Sequence, residues 1–156
     1  NLGEVLLKRG EFDEAMAHLQ RAIHLCQKGS GPAYLLPDAW RTLAEIRLAK
    51  GDLDAARDAC NEAINLAEAG KDLPRMAAAY RVRGSVADAD GQPDDAVAHI
   101  ERAITYLEHI EQPLELARAY WDLAGIYERQ TRTEHTELYA RARSLFLETG
   151  ARVPEK

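Results

Sequence analysis

The segment Gly10-Glu11-Phe12-Asp13-Glu14-Ala15 returns as Gly51-Asp52-Leu53-Asp54-Ala55-Ala56 and again as Gly91-Gln92-Pro93-Asp94-Asp95-Ala96, with the glycines 41 and then 40 positions apart. A fixed period in this range, punctuated by a glycine turn, predicts stacked helical hairpins in place of a single enclosed core. Other positions keep the same beat. Ala22, Ala63, Ala103 and Ala142 follow at intervals of 41, 40 and 39, and Trp40, Tyr80 and Tyr120 at 40 and 40. Small residues recur where two helices approach closely, and large aromatics where a gap must be filled.

Apolar spacing and turn residues predict where the helices fall. A first stump covers residues 1–9, with Leu2, Val5 and Leu6 on its apolar side, and Gly10 ends it. Its partner covers 12–28, with Ala15, Leu19, Ala22, Ile23 and Cys26 on one stripe. After the break at Gly29-Ser30-Gly31-Pro32, Pro37 suits the first turn of a helix running to Lys50, and 53–69 returns along it. Further helices are expected over 74–89, 93–110, 113–129 and 134–149, three of them opened by Pro74, Pro93 and Pro113. The last carries one apolar stripe, Leu138, Tyr139, Ala142, Leu145 and Phe146, as an end cap requires. The tail at 151–156 is expected to fray.

The repeated residues resemble the tetratricopeptide repeat (TPR) pattern W-x2-L-G-x2-Y…A-x3-F…P. The second unit supplies Trp40, Leu43, Ala44, Ala56 and Cys60, and the fourth Tyr120, Leu123, Ala124 and Tyr127. The first keeps Leu2, Gly3, Ala15 and Leu19, and the third Tyr80, Gly84, Ala96 and Ile100. Departures occur at Arg47 and Arg83, at the glycine-free turn Gln130-Thr131-Arg132-Thr133, and at His135 in place of a small alanine. The period is about six residues longer than the usual ~34. Long units of this kind resemble those of bacterial transcription regulators, signalling ATPases and cyclases, kinesin light chains and polarity-complex adaptors.

The resemblance implies an all-α, right-handed superhelical array of about four antiparallel hairpins. Their approximate bounds are 1–29, 32–70, 73–110 and 113–149, within one domain over 1–150. Because the chain opens on Asn1-Leu2-Gly3, already inside a repeat motif, it reads as a piece of a longer protein.

Several chemistries find little support in the residues. Five histidines are scattered: His18 and His99 fall at equivalent repeat positions, while His24, His109 and His135 have only stray glutamates nearby. No closed set of three or four ligands is formed, so no metal is expected. Cys26 and Cys60 form no C-x-x-C pair, which fits a reducing compartment and a cytoplasmic location. Acidic residues such as Asp13, Glu14, Asp52, Asp54, Asp94 and Asp95 cluster where helices begin, and capping explains them better than a calcium loop. No phosphate loop, nucleophile elbow or paired acid–base set is present, so neither enzyme activity nor a cofactor is expected. A net charge of −6 argues against nucleic acid, and no apolar run approaches the ~20 residues that cross a bilayer.

The arginines carry the remaining signal. Fifteen of the twenty basic residues are arginine, and Arg41 and Arg81 each follow the aromatic landmark of their repeat. The third equivalent is Trp121, with Arg118 one turn earlier. The resemblance places the residue after the landmark on a concave groove lined by the first helix of each hairpin. One turn on come Glu45, Ser85 and Gly125, and beyond them Leu48, Asp88 and Glu128. Arginine and tryptophan are frequent binding hot spots. The alternative is a solvated face, with Arg41 paired to Glu45 and Arg118 to Asp122 along one helix. The groove lacks the lysine and asparagine set with which chaperone-binding relatives hold a terminal carboxylate. The expected function is a protein- or peptide-binding scaffold. The second expectation is a sensory or relay segment of a multidomain bacterial regulator.

Overall fold

The computed structural model describes residues 2–155, with side chains from Gly10 onward. Among these residues the chain forms seven α-helices and no strand: α1 (Leu2–Gln27), α2 (Leu36–Lys50), α3 (Leu53–Ala69), α4 (Leu73–Ala89), α5 (Pro93–Leu107), α6 (Pro113–Arg129) and α7 (His135–Glu148). A single 3-10 turn, Ala33–Leu35, leads into α2.

Tight turns fold α2 on α3, α4 on α5 and α6 on α7, and the three hairpins then stack through α3 on α4 and α5 on α6. The first helices also touch one another in series, α2 against α4 and α4 against α6. Gly51 and Gly91 make the turns inside the first two hairpins, at φ 80° and 72°. In the third hairpin the equivalent residue is Thr131, which holds the same left-handed turn at φ 57°. A β-branched residue is rare there, so the packing of α6 on α7 imposes this turn on a sequence that lacks the glycine. Asp52 and Asp72 cap α3 and α4 by accepting from the Ala55 and Arg75 amides. Proline occupies the first or second position of α2, α4, α5 and α6, where a missing N–H costs nothing.

Alanine lets the helices approach closely. Ala56, Ala59, Ala63, Ala77, Ala96, Ala103, Ala117 and Ala142 are wholly buried, and Leu43, Val86 and Ile100 fill the space between them. Gly84 of α4 carries this furthest, because a Cβ there would fall 2.5 Å from Ile100 Cγ1 and 3.1 Å from the Ala96 carbonyl oxygen.

The N-terminal end departs from the sequence reading. Gly10 does not end a helix: α1 runs unbroken through it, and no left-handed turn forms. Glycine permits a turn without enforcing one, and α1 packs mainly along α2. The expected apolar side formed by Leu2, Val5 and Leu6 lies outside the described side chains. Ala22 is exposed although its equivalents Ala63, Ala103 and Ala142 are buried, and of the expected α1 stripe only Ile23 is fully covered. Beyond α7, Ala151 donates its amide to the Phe146 carbonyl, and Ala151 and Val153 pack on the apolar cluster shared by the second and third hairpins.

Candidate functional site

The first helices α2, α4 and α6 line a cleft of about 700 Å³. Four arginines converge on it: Arg41 from α2, Arg75 and Arg81 from α4, and Arg118 from α6. Carboxylates match them. Arg41 donates to Glu45 at 2.8 Å, and Arg75 donates to Asp38 at 2.8 Å and to Asp72 at 2.6 Å. Arg118 pairs with Glu115 at 2.5 Å, one turn before it. Arg118 therefore does not pair with Asp122, as the spacing had suggested. Asp122 is held by Arg81 instead, at 3.0 Å across from α4 to α6.

The arginine forks are only partly engaged. The buried Nε atoms of Arg41 and Arg81 make no hydrogen bond, although Asp38 and Glu115 stand 3.9 and 3.7 Å away. These two arginines lie one repeat apart, and in both the Nε is closed off from solvent.

A second cup of about 380 Å³ continues beyond the Arg81–Asp122 pair, lined by Ser85 and Asp88 of α4, Trp121, Asp122 and Glu128 of α6, and Tyr139 of α7. The sequence-predicted site residues thus divide into two groups. Arg41, Glu45, Arg81 and Arg118 line the larger cleft, and Ser85, Asp88, Trp121, Asp122 and Glu128 the smaller cup.

The cup is acidic and internally bonded. Asp88 accepts from Arg129 at 2.5 Å, and Glu128 accepts from the Tyr139 hydroxyl at 2.8 Å. Burial pushes the Asp122 carboxyl above its ordinary range, and the Arg81 guanidinium pulls it only part of the way back. Trp121 is less free than a binding residue on a groove would be. Its ring lies edge-on to Tyr139 at 4.7 Å and to Phe146 at 6.2 Å, so it also fastens α7 to α6. Sequence reading missed Arg75 and Asp38, whose pairing across α2 and α4 completes the cleft. Neither stands beside an aromatic landmark, so the register of the repeat does not single them out.

The remaining reactive groups look structural. Burial pushes the Cys60 thiol up to about 12, which leaves it un-ionised and a poor nucleophile. His99 stacks on Tyr80 at 6.0 Å, and burial lowers its pKa. Among the described residues no three His, Cys, Asp or Glu side chains gather in a metal-binding arrangement. None of the described helices is long and apolar enough to cross a membrane.

Stacked hairpins with a cleft along their first helices define a helical-repeat solenoid. Two sequence profiles of the tetratricopeptide repeat match residues 1–33 and 35–109, and the chain belongs to that family. The crystal structure of BtubC (BKLC) from P. vanneervenii superposes with a TM-score of 0.78 at 18% identity, covering 99% of this chain and 64% of BtubC. The TPR domain of Arabidopsis FLU superposes at 0.68 and 18% identity, covering 76% of this chain and 99% of that domain. MamA does so at 0.66 and 23% identity, covering 96% of this chain and 77% of MamA. At such identities the likeness is one of fold. No curated protein matches the chain significantly.

Proposed function

We propose that this chain is a non-catalytic protein-interaction scaffold, and that its α2–α4–α6 cleft holds an extended peptide segment carrying both charge signs. The TPR family supports the scaffold role in general terms. One observation carries the choice of cleft: Arg41, Arg75, Arg81 and Arg118, from three successive first helices, line the same 700 Å³ space.

Four arginines facing Asp38, Glu45, Asp72 and Glu115 make a balanced surface. A purely acidic ligand would have to displace these carboxylates, whereas a mixed segment exchanges one ion pair for another. Preformed helices present these groups with little ordering cost. The two free cysteines are compatible with a cytoplasmic setting. The same chemistry serves whether the segment comes from a separate protein or from a neighbouring domain of a regulator. No described residue of the cleft favours the second source.

The test uses peptides selected from a random display library for binding to the whole chain. Arg41→Ala and Arg118→Ala are the informative variants, since both arginines pair only within their own helices and their loss spares the stacking. Together they should weaken binding of the selected peptides by about 2 kcal/mol with melting nearly unchanged. Arg57→Ala, outside the cleft, should leave it within about twofold. Unchanged binding in the double variant would refute the assignment to this cleft.

A further inference from the structure

The aromatic landmark is finished differently in each hairpin. In the second, the Tyr80 hydroxyl donates to Glu68 at 2.8 Å, and the Arg102 guanidinium lies over the ring 4.6 Å from its centroid. In the third, Tyr120 donates to Glu108 at 3.0 Å, and Arg141 lies 6.0 Å from the ring centroid. Glu68 and Glu108 are 40 positions apart, and Arg102 and Arg141 are 39 apart. The same arrangement of acid, ring and arginine is thus built twice.

The first hairpin keeps the ring and reverses both charges. Stepping back 40 positions from Glu68 reaches Lys28, from Tyr80 reaches Trp40, and from Arg102 reaches Glu62. His99, which stacks on Tyr80, is replaced by Ala59. Both groups that cover Tyr80 from α5 are therefore missing over Trp40. A cleft of about 460 Å³ lies there, lined by Trp40, Arg47, Asp58, Asn61 and Glu62. Arg47 is a cation of the same lining, and the one side-chain hydrogen bond it makes is to the Ala55 carbonyl at 3.0 Å. Asp58 and Glu62 pair with no cation among the described residues.

We propose that the Trp40 cleft receives an arginine side chain from a partner protein, in the place over the ring that Arg102 and Arg141 fill in the other hairpins. A flat guanidinium stacks on an indole face, which attracts cations more strongly than a phenol does. Asp58 and Glu62 supply the counter-charge. The site uses α2 and α3 and shares no lining residue with the α2–α4–α6 cleft, so it stands or falls independently of that cleft.

The probe is acetyl-Gly-Arg-Gly-amide, titrated into the intact, ¹⁵N-labelled chain while the two tryptophan indole N–H signals are followed by NMR. The Trp40 signal should move saturably and the Trp121 signal should not. The citrulline counterpart, isosteric and uncharged, should leave both unmoved. Glu62→Arg supplies the guanidinium from within the chain and should abolish the response. Glu62→Gln, a milder change at an exposed position, should weaken it roughly fivefold, and Arg41→Ala with Arg118→Ala should not alter it. No movement of the Trp40 signal, equal movement with citrulline, or a full response in either Glu62 variant would overturn the proposal.

Discussion

The Arg81 guanidinium of α4 reaches the Asp122 carboxylate of α6 at 3.0 Å and ties the second hairpin to the third along the cleft. Arg81 is thus a brace as well as a groove residue. Burial raises the Asp122 pKa above its unfolded value even with Arg81 beside it. The native state therefore binds the Asp122 proton more tightly than the unfolded chain, and stability falls as pH rises through and above the ordinary carboxylate range.

Removing the brace should deepen that loss. Arg81→Ala is expected to cost little where Asp122 is protonated and about 1–3 kcal/mol at neutral pH, where the charge stands uncompensated. Denaturant melts at a series of pH values check this. The difference from wild type should grow with pH and should shrink when Asp122→Asn is added. A difference that stays constant with pH would assign Arg81 no electrostatic role.

Gly84→Ala inverts the usual helix rule. Alanine in a helix interior normally gains about 1 kcal/mol over glycine. At Gly84 the new methyl would press on Ile100 and on the Ala96 carbonyl, so a net loss of about 1–3 kcal/mol is expected. Ala56→Leu and Ala96→Leu should lose stability for the same reason, since both alanines are wholly buried. Chemical denaturation of the three variants measures this, and a stabilised Gly84→Ala would show that α4 and α5 are not in close contact.

Thr131→Gly should stabilise. Thr131 holds φ 57° where the equivalent Gly51 and Gly91 sit at ease. Relieving the left-handed turn should be worth about 1 kcal/mol, less the added chain entropy of glycine in the unfolded state. A lowered denaturation midpoint would mean that the threonine hydroxyl, which donates to the Gln130 carbonyl at 2.7 Å, matters more than the backbone strain.

The periodic residues made the hairpins legible. Glycine turns, wholly buried alanines and opening prolines recur in the sequence because each unit solves the same packing problem. The same reasoning failed at Gly10, where the repeat motif is present and the helix continues through it. A local motif cannot specify a turn unless the helices on either side have surfaces to pack on. The cleft was half legible. Register placed Arg41, Arg81 and Arg118 together, but single-helix spacing cannot show which carboxylate an arginine chooses across helices. Asp122 pairing with Arg81, and Asp38 with Arg75, are tertiary facts. Trp121 lines the cup, and its edge-on packing against Tyr139 of α7 is likewise a tertiary fact.

Amide hydrogen exchange across the whole chain, with and without a display-selected peptide, tests the scaffold reading most directly. Protection should rise along α2, α4 and α6, centred on the turns that carry Arg41, Arg81 and Arg118, and change little on the outward faces of α3, α5 and α7. Protection confined to α3, α5 and α7, with the first helices unaffected, would contradict the account and move the binding surface to the other side of the solenoid.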